Sequence, residues 1–341
     1  MRESDVWPAL RAYWHPVLYA HEVGDKPVPV TLLGERLAVC KFGDRYRAFY
    51  DLCIHRGTPI SLGRVEGEEV VCAYHGWSYN PEGKCTRIPS VPPEHPIPKK
   101  ACLTAYHTEE RYGIVWVCLA DEPKVDVPEI PEFDDPGFGT FLRSKKAWKS
   151  SAARVIENSV DQAHFAWVHE GILGSRDATL MPKFHLERQG EEMVFWFENP
   201  ADEFHPDAHR RSYRLKRPFT IHQRKEQPDG HVEVYIFTFC PNTDKACTRF
   251  MQLCRNYDLD ALEVTDGPTI IDDDEITGPP LGESGKTHVE MQETIFAQDH
   301  AIVSQQRPEE LPLDLTEELH VKGPDSISLE YRRMMREVGV E

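Results

Sequence analysis

Hydrophobic and polar residues alternate in short runs through both halves of the chain. In the first half, apolar residues occupy alternate or clustered positions in LAVCKF, YRAFYDL and EEVVCAY, as they do in short strands. Gly57, Gly76 and Gly83 interrupt these runs and predict turns. In the second half, EMVFWFE and HVEVYIFTFC show the same alternation. The pattern predicts hairpins in the first half and an antiparallel sheet in the second.

Two segments of the second half are predicted to be helices, SAARVIENSVDQAHFAWVHE and VEMQETIFAQDHAIVSQQ. The C-terminal SLEYRRMMREVG predicts a further, short amphipathic helix that covers the core. The acidic, Pro- and Gly-rich stretch from about Asp266 to Gly285 predicts a loop with the character of a mobile lid. Strands and helices are therefore both expected in the second half.

A domain boundary is predicted near residue 120. The segment RYGIVWVCLADEP is followed by KVDVPEIPEFDDPGFG, whose proline and acidic residues cannot hold a helix or a central strand. A chain of 341 residues is also too long for one ordinary domain. The sequence thus predicts two domains, 1–120 and 121–341.

Composition excludes several classes of protein. The formal net charge is -18, which argues against nucleic-acid binding because phosphate contacts need clustered Lys and Arg. No apolar stretch approaches the length of a membrane span, and MRESDVWPALRAYWHPV has no continuous apolar run, so a cytoplasmic protein is expected. The nine cysteines form no secreted disulfide framework. Small molecules or other proteins are the expected partners.

Two short motifs, Cys53-x-His55 and Cys72-x-x-His75, each combine one thiolate with one imidazole. They resemble the four ligands of a Rieske [2Fe–2S] cluster, in which one iron takes two thiolates and the other two imidazoles. Such ligands must come from two tight turns that face each other, and both motifs fall at predicted hairpin ends. A structural zinc site is the alternative, since Cys2His2 sets also suit zinc. Zinc fingers, however, keep like ligands together, and these motifs do not.

A second group of candidate ligands, Asp161, His164 and His169, lies in the first predicted helix. Asp161 and His164 would share a helix face, whereas His169, five positions after His164, would be rotated by about 140°. The two histidines can bind one metal only if the helix ends, bulges or contains a π-turn between them.

Asp299 is the candidate for a third, carboxylate ligand. It falls within an apolar stripe of Ile295, Ile302 and Val303, and a carboxylate on a buried helix face is costly unless a cation or donors compensate. A solvated Asp299 is the alternative. Glu293 and the run from Asp272 to Asp274 are poorer candidates.

The motif D-x-x-H-x-x-x-x-H, downstream of the two Cys/His motifs, resembles the mononuclear iron site of the Rieske non-haem iron oxygenases. YWHPV (13–17), RYGIVW (111–116) and YRR (331–333) also resemble segments of the α3-trimer type, which includes vanillate, dicamba and methylxanthine demethylases; Met334 departs from it. The resemblance implies an α+β fold with an N-terminal all-β Rieske domain and a helix-grip catalytic domain.

The resemblance also implies the cofactors and the partners. A [2Fe–2S] cluster would be held by Cys53, His55, Cys72 and His75, and a mononuclear Fe(II) by His164, His169 and Asp299. Asp161 would link a cluster histidine of the neighbouring subunit of a homotrimer to His164. Electrons would come ultimately from NAD(P)H through a separate ferredoxin or flavin reductase. The cluster loops lack the extra cysteines and the serine of the respiratory type, which favours a lower potential.

The implied reaction uses O2 to hydroxylate or to O- or N-demethylate a small aromatic or heterocyclic substrate. Aromatic-ring cis-dihydroxylation is the alternative within the family, and a pure electron carrier or a zinc-stabilised binding module are alternatives outside it. Five residues are expected to line the substrate pocket: Phe165, Phe204, His205, Ile236 and Met251.

Overall fold

A computed structural model of the chain describes residues 1–197, 210–259, 269–272, 275–277 and 283–339. The chain forms two compact units, one of residues 11–127 and one of residues 1–10 together with 128–341. No helix among the described residues is both long and apolar enough to cross a membrane.

The first unit is built from two antiparallel sheets, one of six strands in the order β1-β10-β9-β4-β3-β2 and one of four in the order β5-β6-β7-β8. Its strands are β1 (His15–Tyr19), β2 (Val28–Leu32), β3 (Glu35–Phe42), β4 (Arg45–Tyr50), β5 (Arg64–Glu66), β6 (Glu69–Val71), β7 (Ser78–Tyr79), β8 (Cys85–Arg87), β9 (Ala105–Arg111) and β10 (Ile114–Cys118). Single 3-10 turns cover Ala20–Glu22 and Ile60–Leu62.

Apolar runs explain why these strands form and where they pack. All five residues of β10 are buried, whereas β9, its antiparallel neighbour, leaves much of its AYHTEER sequence exposed. Phe42 and Phe49 meet edge to face in a core that also contains Cys53, Cys72 and Tyr79. The predicted strands of the first half are confirmed. One detail of the prediction is wrong, because Cys53 and His55 follow β4 in the connection to β5 and do not lie at a hairpin tip.

The second unit contains a sheet whose described part has nine strands in the order β12-β13-β14-β15-β16-β17-β11-β18-β19. Its strands are β11 (Gly139–Trp148), β12 (Phe184–Gln189), β13 (Glu192–Phe197), β14 (Arg210–Lys216), β15 (Thr220–Glu226), β16 (Val232–Thr243), β17 (Ala246–Arg255), β18 (Thr269–Asp272) and β19 (Glu275–Thr277). The β11–β18 pair is parallel and the other pairs are antiparallel.

Helices accompany this sheet. Within the described residues they are α1 (Trp7–Leu10), α2 (Pro131–Asp134), α3 (Ala152–Val160), α4 (Phe165–Val168), α5 (Glu283–Val303) and α6 (Ser326–Val338), with a 3-10 turn at Glu3–Val6. The predicted C-terminal helix is confirmed as α6. It buries one face, on which Tyr331 and Met334 are fully covered.

The first ten residues belong to the second unit, which differs from the predicted division at residue 120. The backbone N–H of Leu313 donates to the carbonyl of Met1, and the N–H of Ala153 donates to the buried carboxylate of Glu3. Val6 packs against Gly339. These contacts hold the N-terminal segment to α3 and to the end of the chain, whereas the predicted boundary assigned it to the Rieske domain.

The predicted helix SAARVIENSVDQAHFAWVHE is divided into α3 and α4. Ser151 begins α3 by accepting a hydrogen bond from the N–H of Arg154 (3.3 Å). Asp161 ends it in an extended conformation, and its Oδ1 accepts from the N–H of Ala163 (2.9 Å). A short polar side chain that bonds its own downstream backbone competes with helix continuation. The prediction of a single helix was therefore wrong, because the side chain of Asp161 ends α3.

The prediction of a loop from about Asp266 to Gly285 is partly wrong. Thr269 and Ile271 are buried in β18, which adds to β11, and β19 and the start of α5 also fall within the stretch. The remaining residues of that stretch lie outside the described ranges. β-Branched residues favour an extended chain against a sheet, which explains the strand.

Candidate metal centres and substrate cavity

The loops Cys53–Thr58 and Cys72–Trp77, called here the ligand loops, have the same hydrogen-bond pattern. In the first, the N–H of Cys53 donates to Thr58 O (2.8 Å) and that of Gly57 to Cys53 O (2.9 Å). In the second, Cys72 N–H donates to Trp77 O (2.9 Å) and Gly76 N–H to Cys72 O (3.1 Å). Gly57 and Gly76 have φ of 69° and 67°, which glycine adopts without strain. The two loops are thus near copies of one turn.

The ligand loops bring the four predicted cluster residues together. The imidazole centroids of His55 and His75 are 4.5 Å apart, and Trp77 stacks on His55 at 4.5 Å. Cys53 and Cys72 are each 2% exposed, and burial together with the neighbouring Cys53 raises the pKa of the Cys72 thiol. Nδ1 of His55 is buried and has no hydrogen-bond partner. Two adjacent buried sulfurs and an unpaired imidazole nitrogen fit a metal cluster.

Tyr79 is a residue of this centre that the sequence reasoning missed. Its hydroxyl lies 3.1 Å from Sγ of Cys53, and both are buried. Burial and the contact with Cys53 raise the pKa of the Tyr79 hydroxyl, so it stays protonated and can donate to the sulfur. The ligand loops lack the serine of the respiratory type, and Tyr79 brings a hydroxyl to a cluster sulfur from a different position. The feature that could have indicated this role is the position of Tyr79 on β7, in register with the buried Val70 of β6.

His164, His169 and Asp299 come together in the second unit. Oδ1 of Asp299 is 3.0 Å from Nε2 of His169 and 3.4 Å from Nε2 of His164. One candidate ligand atom from each residue lies within 4.8 Å of the others. His164 and His169 flank the single turn of α4, so the break in the helix removes the rotation that would have separated them.

Asp299 lies on the buried face of α5, as predicted, but the stripe was partly wrong. Ile302, three positions after Asp299, lies at the edge of the buried face of α5. Its side chain is therefore 54% exposed. The buried face begins at Met291 and Gln292 and continues in steps of three and four residues through Ile295, Asp299 and Val303.

Asp299 and His164 shift each other's pKa. Burial would raise the pKa of Asp299, but its contacts with the imidazoles of His164 and His169 outweigh it and lower the pKa to about 2. Burial would likewise lower the pKa of His164, but Asp161 and Asp299 raise it to about 9. A divalent cation bound between these groups would compensate the same buried carboxylate.

Each histidine is oriented through its other ring nitrogen. Nδ1 of His164 lies 3.0 Å from Oδ2 of Asp161, and Nδ1 of His169 lies 2.8 Å from Oε1 of Gln298. A proton on each Nδ1 leaves both Nε2 atoms directed toward Asp299, and such partners fix the tautomer of metal-binding histidines. The sequence analysis did not identify Gln298, although it directly precedes the candidate ligand Asp299.

A cavity opens beside these residues between α5, α4 and one face of the sheet. Its described lining combines aromatic, aliphatic and polar side chains: Asn158, Ser159, His164, Phe165, His169, Leu173, Arg211, Tyr213, Gln223, Lys225, Tyr235, Phe237, Met291, Gln292, Ile295, Phe296 and Asp299. Of the predicted pocket residues, Phe165 lines it.

Ile236 and Met251 do not belong to the described lining, and their prediction was wrong. Ile236 lies between Tyr235 and Phe237 and so points to the opposite face of β16. Met251 is buried in a core cluster with Leu142 and Leu253. Phe204 and His205 lie outside the described residues.

The donor sets fit the two metal centres that the sequence implied. Two thiols and two imidazoles from the ligand loops suit a [2Fe–2S] cluster with mixed ligation. Two imidazoles and one carboxylate on one side of a cavity suit a non-haem iron with open positions. Nε2 of His164 and Oδ1 of Asp299 are both buried without a hydrogen bond of good geometry, as expected for atoms placed to bind a cation.

Comparison with known proteins decides the family. Residues 13–107 match the Rieske [2Fe-2S] domain family, and residues 148–270 match the vanillate O-demethylase oxygenase C-terminal domain family. Methylxanthine N1-demethylase NdmA of Pseudomonas putida is 31% identical over 342 residues, covering 96% of this chain and 89% of that protein. The chain belongs to the Rieske non-haem iron oxygenases.

Solved structures extend the match to the fold of this Rieske oxygenase. NdmA of P. putida with caffeine superposes with a TM-score of 0.84 at 28% identity, covering 98% of this chain and 93% of that one. Dicamba monooxygenase bound to dicamba gives a TM-score of 0.77 at 16% identity over 97% of this chain and 98% of that one, a likeness of fold alone. The predicted fold class and family are confirmed.

Membership confirms the class of enzyme and its cofactors. The chain is an oxidoreductase of the Rieske oxygenase family, whose members contain a [2Fe–2S] cluster and a mononuclear iron and receive electrons from a reductase. Its relatives are oxygenase components of multi-component systems that act on small substrates with O2. An electron carrier and a zinc-stabilised module are thereby excluded.

Proposed function

We propose that this chain is the terminal oxygenase that removes an O- or N-methyl group from a small aromatic or heterocyclic substrate. The observation that carries the proposal is the convergence of His164, His169 and Asp299 at a cavity with Phe165 and Phe237 in its wall. The demethylase activity named for the methylxanthine relative supports the choice of reaction. Hydroxylation of a methyl carbon gives a hemiacetal or hemiaminal, which loses formaldehyde.

In this proposal Cys53, His55, Cys72 and His75 hold the cluster, and His164, His169 and Asp299 hold the iron. When bound, the iron supplies the activation of O2 needed for insertion of oxygen into a C–H bond. The chain's own side chains prepare the site. Asp161 and Gln298 keep a proton on Nδ1 of each histidine and so present both Nε2 atoms. The aromatic walls exclude water and position the substrate ring.

Product analysis tests the proposal. The purified oxygenase, supplied with a reductase and NADH, would be incubated with a panel of methoxy-aromatic and N-methyl heterocyclic compounds, and formaldehyde would be measured against O2 consumed. One formaldehyde per demethylated product is expected, and none from a His164→Ala variant. Vicinal diols without formaldehyde would support ring cis-dihydroxylation and contradict demethylation.

The proposal includes a homotrimer in which the cluster of one subunit supplies the iron of the next. Support comes from Asp161, whose side chain is 28% exposed while its Oδ2 contacts His164, so a group from another subunit can reach it. A head-to-tail interface closes into a ring without a self-complementary patch. We also place the enzyme in the cytoplasm, where NAD(P)H is available to the reductase.

Mixed trimers test this electron path. His75→Ala removes a cluster ligand and His164→Ala removes an iron ligand, so each homotrimer should be inactive. After verified subunit exchange, some interfaces join an intact cluster to an intact iron site, and part of the activity should return. Exchanged trimers without activity would mean that electrons travel within one chain and that the role given to Asp161 is wrong.

A further inference from the structure

The chain folds back on α4 directly after the second candidate iron ligand. Residues 170–174, called here the return loop, are closed by backbone hydrogen bonds. The carbonyl of His169 accepts the N–H of Leu173 (3.0 Å), and the N–H of Gly171 donates to the carbonyl of Gly174 (2.8 Å). The end of the return loop is thereby held close to the ligand from which the loop starts.

Gly174, the last residue of the return loop, lies directly against the backbone of α4. A Cβ atom at position 174 would be 2.8 Å from the N atom of Ala166, 2.9 Å from the carbonyl carbon of Phe165 and 3.0 Å from the Cα atom of Ala166. Carbon atoms in contact are ordinarily about 3.5–4.0 Å apart. The φ angle of Gly174 lies outside the left-handed region, so the lack of space, and not the backbone conformation, calls for glycine here.

The peptide group that Gly174 contacts begins one residue after a candidate iron ligand. α4 is a single turn in which the carbonyl of His164 accepts the N–H of Val168 (2.8 Å), and the N–H of His169 donates to the carbonyl of Phe165 (3.1 Å). The two candidate histidine ligands are therefore the two ends of one hydrogen-bonded turn. Any displacement of the first peptide group of that turn acts on both of them.

We propose that Gly174 is a positioning residue for the mononuclear iron, because its missing side chain lets the return loop pack on α4 and fix His164 and His169 relative to Asp299. A side chain at position 174 would have to displace the start of α4 by about 0.5 Å or more to reach an ordinary contact distance. Metal–ligand distances vary by only about 0.2 Å. This inference rests on the proposed role of the three residues as iron ligands.

The return loop is itself held in place, so α4 is the part that should move. Leu173, directly before Gly174, has its N–H bonded to His169, and its side chain lines both the substrate cavity and a neighbouring groove. An outward shift of Gly174 would withdraw Leu173 from both walls. The wedge created by a side chain should therefore open at the start of α4, beside His164.

Gly174→Ala tests the inference in the full chain with the cluster loaded. Chelator competition measures the affinity of the mononuclear site for Fe(II), and the electron paramagnetic resonance of its nitric oxide adduct reports the ligand geometry. The variant should bind this iron about 10- to 100-fold more weakly, as metal sites do when the support of a ligand is changed, and its nitric oxide spectrum should differ from that of wild type. Cluster absorption and far-UV circular dichroism should be unchanged.

Gly171→Ala is the matched control, because it makes the same change in the same loop without a wedge. Gly171 has φ of 79°, and beyond its chain neighbours a Cβ there would meet no described residue within 4 Å. Alanine at this position strains the backbone, so the unfolding midpoint should fall while the iron affinity stays that of wild type. Equal losses of iron affinity in both variants would trace the effect to a weakened loop and overturn the positioning role of Gly174.

The remaining outcomes separate this inference from the function on which it rests. Wild-type iron affinity in Gly174→Ala would show that the return loop yields in place of α4, which overturns the inference alone. Loss of the folded second unit in that variant would make Gly174 a residue required for folding and would overturn the positioning role as well. A wild-type chain that holds cluster iron but no mononuclear iron would overturn the assignment of the iron ligands, and with it the proposed function, before any variant is made.

Discussion

The stability of the second unit should fall as pH rises, because of one buried carboxyl group. Glu3 is fully buried, and its Oε2 accepts the N–H of Ala153 (3.2 Å) at the start of α3. Burial raises the pKa of Glu3 from 4.5 to about 7; hydrogen bonds from Ser151 and Ala153 oppose the rise, and nearby Glu310 adds to it. The favourable helix N-terminus is thus outweighed by the loss of hydration.

The sign and size of the effect follow from linkage. Between pH 4.5 and about 7 the folded state binds more protons at Glu3 than the unfolded state does, so the free energy of unfolding decreases with rising pH. The stability present below the unfolded pKa is lost progressively as pH rises through the folded value. At about 1.4 kcal/mol per pKa unit, the loss approaches ~3 kcal/mol at pH 8.

Replacement of Glu3 by Gln tests this account. Urea unfolding of wild type and of Glu3→Gln would be measured at pH 5 and pH 8 by tryptophan fluorescence, with cluster absorption followed separately because a two-unit chain need not unfold in one step. The stability of the variant relative to wild type should rise by about 2 to 3 kcal/mol between pH 5 and pH 8. Asp5→Asn, at an exposed carboxylate nearby, should show no such difference. An equal effect of Glu3→Gln at both pH values would refute the reasoning.

Three further predictions concern the metal centres. Asp299→Ala should keep the visible spectrum of the cluster and lose mononuclear iron, because the two donor sets lie in different units; iron and sulfide analysis measures this. Gln298→Leu should weaken iron retention by about 10- to 100-fold, since it frees the His169 ring, and Gln298→Glu should keep it; chelator competition measures the difference. Tyr79→Phe should lower the cluster potential by removing a hydrogen bond to Cys53, as seen by redox titration.

Each of these predictions has a contrary outcome. Full iron content in Asp299→Ala would assign the third ligand to another carboxylate. Equal chelator resistance in wild type and Gln298→Leu would show that the contact with His169 does not orient the ring. Tyr74→Phe is the control for Tyr79→Phe, because Tyr74 is exposed in the second ligand loop; an equal change of potential in both would exclude the specific role of Tyr79.

The sequence predicted best those ligand residues that lie within a few positions of each other in the chain. The ligand motifs mix cysteine and histidine within a few residues, so the pairs Cys53/His55 and Cys72/His75 could be found without a fold. The joining of His164, His169 and Asp299 needed a long-range contact, and the resemblance supplied it. Asp161 was recognised as a partner of His164, but its effect in ending α3 was not predicted.

What could not be predicted depended on which face a side chain takes in the folded chain. Helix phase at Ile302 was wrong because the stripe was defined from too few positions. The placement of Met1–Leu10 with the second unit depends on Glu3, whose burial no local pattern indicates. Gln298 and Tyr79 became visible only when their partners, His169 and Cys53, were placed within bonding distance.

The alternation of three neighbouring strands has a consequence for how this enzyme can evolve. On β14, β15 and β16, the residues that line the cavity all have odd numbers: Arg211, Tyr213, Gln223, Lys225, Tyr235 and Phe237. Even-numbered neighbours such as Ser212, His222 and Arg224 line a second groove, which Tyr213 also borders. A mutation at an odd position can thus change which compound is accepted while leaving the reverse side intact. Directed evolution limited to the odd-numbered positions would therefore vary the cavity lining and leave the residues on the other face of these strands unchanged.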